Sequence, residues 1–150
     1  MPLSDPELVE RMNRRMPPTS ALLGMTVLSV DRDAGTVRLR FEPRPEFCNP
    51  MGNVQGGFVV AMLDDAAALA AIVKAGVRIT VPTIELKTSF FGAAKLGQHL
   101  FAEGRCIKLG KRIAFMEADL TDAAGTLLAR LTTSALPVPM TGDEIFVERP

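Results

Sequence analysis

The chain has 150 residues, 47% of them apolar, which fits one globular domain with a real core and excludes a disordered chain. Seventeen acids balance seventeen bases, arguing against nucleic acid or an anionic membrane as the main partner. Two cysteines (Cys48 and Cys106) and one histidine supply neither a disulfide framework nor a metal-ligand cluster, so no metal is expected.

The first residues, Met1-Pro2-Leu3-Ser4-Asp5-Pro6-Glu7, lack the basic and apolar regions of a signal peptide, and a cytoplasmic protein is expected. Ser4 and Glu7 form a capping-box pattern that opens a short helix over 5–15, with Leu8 and Met12 on one face, and Pro17-Pro18 ends it. Segments 26–31 and 36–41 alternate around Asp33-Ala34-Gly35, a hairpin signal. A loop rich in Pro, Asn and Gly fills 42–54. A long helix follows over about 56–74, with Gly76 as its stop. Its apolar run, 58–73, spans roughly 24 Å and carries two charges, short of the ~30 Å needed to cross a bilayer. Four strand-like runs come next, 81–91, 99–108, 113–122 and 127–137, joined by turns at Gly97, Gly110 and Gly125. From Met140 onward the chain is polar and is assigned no structure.

The long helix is apolar on nearly every side and needs a surrounding layer. An antiparallel sheet can wrap it. The outer face of that sheet also carries apolar residues (Phe90, Phe91, Phe101 and Phe115), so oligomerisation is expected.

Asp64 and Asp65 interrupt this helix, and no Lys or Arg lies within one turn of either. A charge there is costly unless it is paired, hydrogen-bonded or used. The turn Gln55-Gly56-Gly57 ahead of the helix leaves bare N–H groups that suit a developing anion. An acid and an anion site on one helix point to hydrolysis or acid–base chemistry. A Ser-His-Asp or Cys-His site would rest on His99 alone, which follows Gly97 in a strand pattern with no nucleophile elbow nearby. Asp64 shares a helical face with Gly57, Val60, Ala61, Ala67, Ala68 and Ala71, small residues that leave room for a ligand or a second helix. Asp65 shares its face with Phe58, Met62, Leu69 and Ile72, which are core-like. Asp64 is therefore the better catalytic candidate, the alternative being that both acids only bond to backbone groups of the preceding loop.

The segment Asn49-Pro50-Met51-Gly52-Asn53-Val54-Gln55-Gly56-Gly57, followed by Ala61-Met62-Leu63-Asp64-Asp65, resembles the hot-dog-fold acyl-CoA thioesterases of the phenylacetate-pathway (PaaI-like) type. Those enzymes show Asn, Gly, then His-Gly-Gly, with the catalytic acid nine positions after the His. Here Gln55 holds the His position and Asp64 falls nine residues later. Thr83-Ile84-Glu85-Leu86, Ser89-Phe90-Phe91, Lys95-Leu96-Gly97 and Gly110-Lys111 continue the pattern in order and spacing.

The resemblance implies an α+β hot-dog fold, a central helix wrapped by a curved antiparallel sheet. The hot-dog domain would occupy residues 22–138, after an N-terminal helix and linker (1–21) and before a C-terminal tail (139–150). It also implies dimers with continuous sheets, usually assembled as homotetramers, with acyl-CoA as substrate. No cofactor is implied beyond the CoA of the substrate, and from the charge balance neither nucleic acid nor a membrane is expected as a partner. In that pattern Asp64 is nucleophile or general base, the Gly56 N–H polarises the thioester carbonyl, and Asn49 and Thr83 place the nucleophile or water. Gly57, the loop with Phe90, Phe91 and Lys95, and the turn with Lys108, Gly110, Lys111 and Arg112 would hold the CoA moiety. Gln55 departs from the pattern, because an amide hydrogen-bonds but does not titrate.

Geometry adds an independent constraint. Gly56 and Asp64 are eight residues apart, about 12 Å along a helix, too far to meet at one carbonyl. Two antiparallel helices across a two-fold axis remove the difficulty. The rival reading is a non-catalytic hot-dog module that binds acyl-CoA. A hydratase of this fold would pair an Asp with a nearby His, and this sequence has none there.

Overall fold

The computed structural model describes residues 3–141. The order is α1 (Asp5–Arg14), α2 (Pro18–Leu22), β1 (Met25–Asp31), β2 (Thr36–Phe41), a 3₁₀ turn (Pro45–Phe47), α3 (Gly56–Ala75), β3 (Ile79–Thr80), β4 (Thr83–Phe90), β5 (Leu100–Leu109), β6 (Ala114–Thr121), β7 (Leu127–Ala135) and β8 (Val138–Pro139). Six strands form one antiparallel sheet in the order β1-β2-β5-β6-β7-β4, and β3 pairs with β8 as a separate two-stranded ribbon.

The sheet wraps α3 because its strands alternate. In β6, Ala114, Met116, Ala118 and Leu120 are buried, while Phe115 faces outward and Glu117, Asp119 and Thr121 are part-covered. On the helix, Ala66, Ala67, Ala70 and Ala71 are fully buried against that inner face, beside Leu39, Leu100, Leu120 and Leu131. Each leucine so buried contributes about 1.5–3 kcal/mol relative to exposure. The approach is closest at Gly104 of β5, where an added Cβ would lie 2.0 Å from the Ala66 carbonyl oxygen. The helix stops at Gly76, whose φ of 64° is the left-handed C-cap expected of it.

The two sheet edges differ. On β1 the Asn13 side chain of α1 bonds both Val27 backbone groups, donating to the carbonyl at 2.9 Å and accepting from the N–H at 2.8 Å. That edge is blocked. Among the described residues strand β4 pairs only with β7, and Thr83–Lys87 are exposed on both faces, including Ile84 (55%) and Leu86 (38%). On the outer face, Arg105 bridges Glu117 and Asp119, and Arg130 also meets Asp119, while Phe115 and Ile107 stand exposed nearby.

Three features depart from the sequence reading. The stretch after the first helix, read as linker, holds the five-residue α2, opened by Pro18, where a missing N–H costs nothing. The run 81–91 begins as a strand at Thr83 rather than Val81, after Pro82, and is preceded by β3. The fourth run closes at Ala135, and Val138–Pro139 return to pair with β3. The expectation of no structure from Met140 falls mainly on residues 142–150, outside the described ones.

Candidate active site

Asp64 and Asp65 lie in the middle of α3, and neither forms an ion pair among the described residues. The Thr83 hydroxyl, on the first residue of β4, stands 3.5 Å from Asp64 Oδ1, at the long limit of a hydrogen bond. Partial burial raises the Asp64 carboxyl above its ordinary value, and the Thr83 hydroxyl offsets part of that rise. Asp65 faces the core side. Burial pushes it up to about 6, tempered by the buried Ser20 hydroxyl of α2 and raised slightly by the Asp64 charge. One Asp65 carboxylate oxygen is buried without a partner.

The start of α3 forms a second cluster. Gln55 is the N-cap residue, but its side chain makes no cap bond and is exposed. Its carbonyl accepts from Phe58 and Val59 at 3.0 and 3.2 Å, which leaves the N–H groups of Gly56 and Gly57 without a backbone partner among the described residues. Phe90, at the end of β4, lies over this turn, with its Cζ 3.2 Å from where a Cβ on Gly56 would sit. Phe47 stacks on Phe58 at 4.3 Å between centroids and fixes the loop before the helix. Asn49 Oδ1 accepts from the N–H groups of Met51 and Asn53 at 3.0 and 3.2 Å, so its amide NH₂ is the part left for a ligand. Lys95 pairs with Asn53 in an isolated bridge and joins the same cluster.

Strand register places these two clusters at opposite ends of the sheet. Ala135 pairs with both Thr83 and Ala114, and Leu109 pairs with Ala114. The exposed turn with Lys108, Gly110, Lys111 and Arg112 is therefore at the Thr83–Asp64 end. Phe90 pairs with Ala129, which pairs with Leu120, at the other end, with Phe91, Lys95, Gly56, Gly57, Gln55 and Asn49. One chain thus brings Asp64 to Thr83 and Gly56 to Phe90, but does not bring Asp64 to Gly56. The Phe90 contact and the Ser20 contact were not read from the sequence. Pro18-Thr19-Ser20-Ala21-Leu22, a proline followed by helix-compatible residues, was the available signal for the second.

The remaining chemistry-bearing groups lie apart. His99 Nε2 is 2.8 Å from Glu42 Oε1, exposed and distant in register from Asp64. Cys48 and Cys106 are free thiols. Among the described residues no group of three or more His, Cys, Asp and Glu gathers to hold a metal.

A family model for the thioesterase superfamily matches residues 51–129. Acyl-coenzyme A thioesterase 13 of Homo sapiens is 27% identical over 110 residues, 73% of this chain and 77% of that protein. A phenylacetic acid degradation-related protein from Ralstonia eutropha JMP134 is 30% identical, with a TM-score of 0.76 over 85% of this chain and 98% of that one. The PaaI protein of the E. coli phenylacetic acid degradation operon has a TM-score of 0.79 over 94% of this chain and 96% of its own, at 14% identity, a likeness of fold alone.

Proposed function

Because the chain belongs to the thioesterase superfamily, and so with the thioester hydrolases, we propose that it hydrolyses an acyl-CoA to a carboxylic acid and CoA, at sites built across a two-fold dimer. The carrying observation is the separation within one chain of an unpaired, desolvated acid from an uncapped helix start. Joining two copies edge to edge along β4, antiparallel, sets the Thr83 end of one strand against the Phe90 end of the other. Asp64 and Thr83 of one protomer then meet Gly56 of the partner subunit, and the symmetry gives two such sites. The open edge of β4, with both faces bare, supports this arrangement. A tetramer would cover Phe115 and Ile107 on the outer face as well.

In this reading the Asp64 carboxylate takes a proton from a water that attacks the thioester carbonyl carbon. The oxyanion forms against the N–H of Gly56, which a helix N-terminus favours. The carbon–sulfur bond breaks, the acyl group leaves as the acid, and the proton held by Asp64 returns to the thiolate sulfur. The raised pKa of Asp64 makes it a stronger base than an ordinary carboxylate. Thr83 and the Asn49 amide orient the water and carboxylate. Phe90, Phe91 and Gly57 flank the thioester, and Lys95, Lys108, Gly110, Lys111 and Arg112 meet the CoA phosphates. Gln55 supplies a neutral hydrogen bond beside the oxyanion donor. No metal or redox cofactor enters any step.

The test is CoA release over short-chain, long-chain and aromatic acyl-CoAs, by the native chain and by Asp64→Ala. Turnover of at least one class, lost in the variant, supports the reading. Tight acyl-CoA binding with no turnover of any class would return the chain to the binding-module alternative.

A further inference from the structure

We infer that the cavity between α1 and the C-terminal half of α3 binds an amphipathic anion with a single apolar tail, at a place separate from the proposed catalytic site. The cavity measures about 500 Å³, within the range of small-ligand pockets. Its walls are Leu8 and Met12 of α1, Val27 of β1, Leu69 and Ile72 of α3, and Ile79 of β3. Leu69 and Ile72 lie on the Asp65 side of α3, whereas Asp64 turns toward Thr83. A site for the reacting thioester would need Asp64, and this cavity does not include it.

Among the described residues the charge lining the cavity is one-sided. Arg11 and Arg15, one helical turn apart, both line it. Neither forms an ion pair among the described residues, although Arg14 meets Glu10 and Arg32 meets Asp5. Both guanidiniums are exposed to solvent at the C-terminal end of α1, and an anion bound between them relieves the weak repulsion of like charges one turn apart. A carboxylate or a phosphate monoester matches the paired N–H groups of guanidinium, and the tail would fill the apolar interior. The inference does not depend on the thioesterase reading, since it concerns binding without turnover.

The experiment uses the full chain carrying Val77→Trp. Val77 is an exposed residue on the cavity lining, and the native sequence has no Trp or Tyr, so the indole emission reports on this site alone. Decanoate, decyl phosphate, decanol and decyltrimethylammonium are titrated below their micelle concentrations. A saturable change with either anion, at least about tenfold tighter than with the alcohol or the cation, is expected, and decanoate against decyl phosphate assigns the head group. Arg11→Glu/Arg15→Glu in the same background should weaken the anion by about tenfold or more, and added salt should weaken it in the parent. Asp64→Asn should leave it unchanged. No saturation with either anion, equal affinity for all four probes, or loss in Asp64→Asn but not in the arginine variant would each overturn the inference. If Val77→Trp does not fold, isothermal titration of the native chain and the arginine variant decides on the same criteria.

Discussion

The Thr83 hydroxyl stands 3.5 Å from Oδ1 of Asp64, tying the first residue of β4 to the middle of α3. The carboxylate that lacks a cation partner among the described residues is thereby held at the sheet edge that, among those residues, also lacks a partner strand. Asp64→Ala should lower kcat for acyl-CoA hydrolysis by at least about 100-fold, the low end for loss of a positioned base. Thr83→Val should cost roughly tenfold, about 1.5 kcal/mol for one hydrogen bond to a charged group. The base works as the carboxylate, so activity falls as pH drops through a pKa raised by burial. The acid limb of kcat/KM should lie above the ordinary value of an aspartate, and Thr83→Val should move it higher, because the hydroxyl lowers that pKa. A pH–rate profile of both proteins checks this.

Asp65 should govern stability rather than turnover. Its folded-state pKa of about 6 exceeds the ordinary 3.8, so the folded chain binds that proton more tightly than the unfolded one. Stability from this group is therefore greatest below pH 4 and declines as pH rises toward 6. Asp65→Asn removes the decline. Denaturant unfolding should show little difference from the native chain at pH 4, and a more stable variant at pH 7 by at most about 3 kcal/mol. An essential Asp65 beside a dispensable Asp64 would reverse their assigned roles.

Gly104→Ala should be among the most damaging small substitutions in the sheet. The added methyl would meet the Ala66 carbonyl at 2.0 Å, and that backbone is fixed inside α3. Helix and sheet must separate, at a cost of about 1–3 kcal/mol or more, visible as a lower Tm.

Gln55→His should preserve or raise turnover. The side chain is exposed and makes no cap bond, so the imidazole enters without displacing a structural contact. Steady-state kinetics on the folded variant decide, and a complete loss of activity would show that the amide has a role imidazole cannot fill.

A mixture of two inactive proteins should regain activity. Asp64→Ala and Asn49→Ala place their lesions at opposite ends of the sheet. In a mixed dimer one site draws Asp64 and Asn49 from intact copies, and the other lacks both. Random pairing after unfolding and refolding an equal mixture makes half the dimers mixed, so roughly a quarter of native sites should return. Activity no higher than the mean of the two variants would mean that each chain builds its site alone.

Local pattern carried much of this protein. The long apolar run before Gly76, interrupted only by Asp64 and Asp65, specified α3, because its length exceeds that of a strand and a glycine supplies its left-handed stop. The 36–41 strand was legible to the residue, since alternation repeats within it. Asp64 and Gly56 stood out because an unpaired charge and a glycine pair are costly in a helix that has no use for them. The tertiary structure decided the rest. A two-residue strand has no period, so the β3–β8 ribbon was invisible until both segments had their neighbours. Pairing of Asp65 with Ser20 depends on α2 docking beside α3, which no spacing within either segment encodes. The arginine-lined cavity likewise arises from α1 lying against α3 and β1. The division of the candidate site between two ends of the sheet follows from the register of β4, β7 and β6: the apolar faces of β6 and β7 close on the helix, and β4 takes its place by pairing with β7.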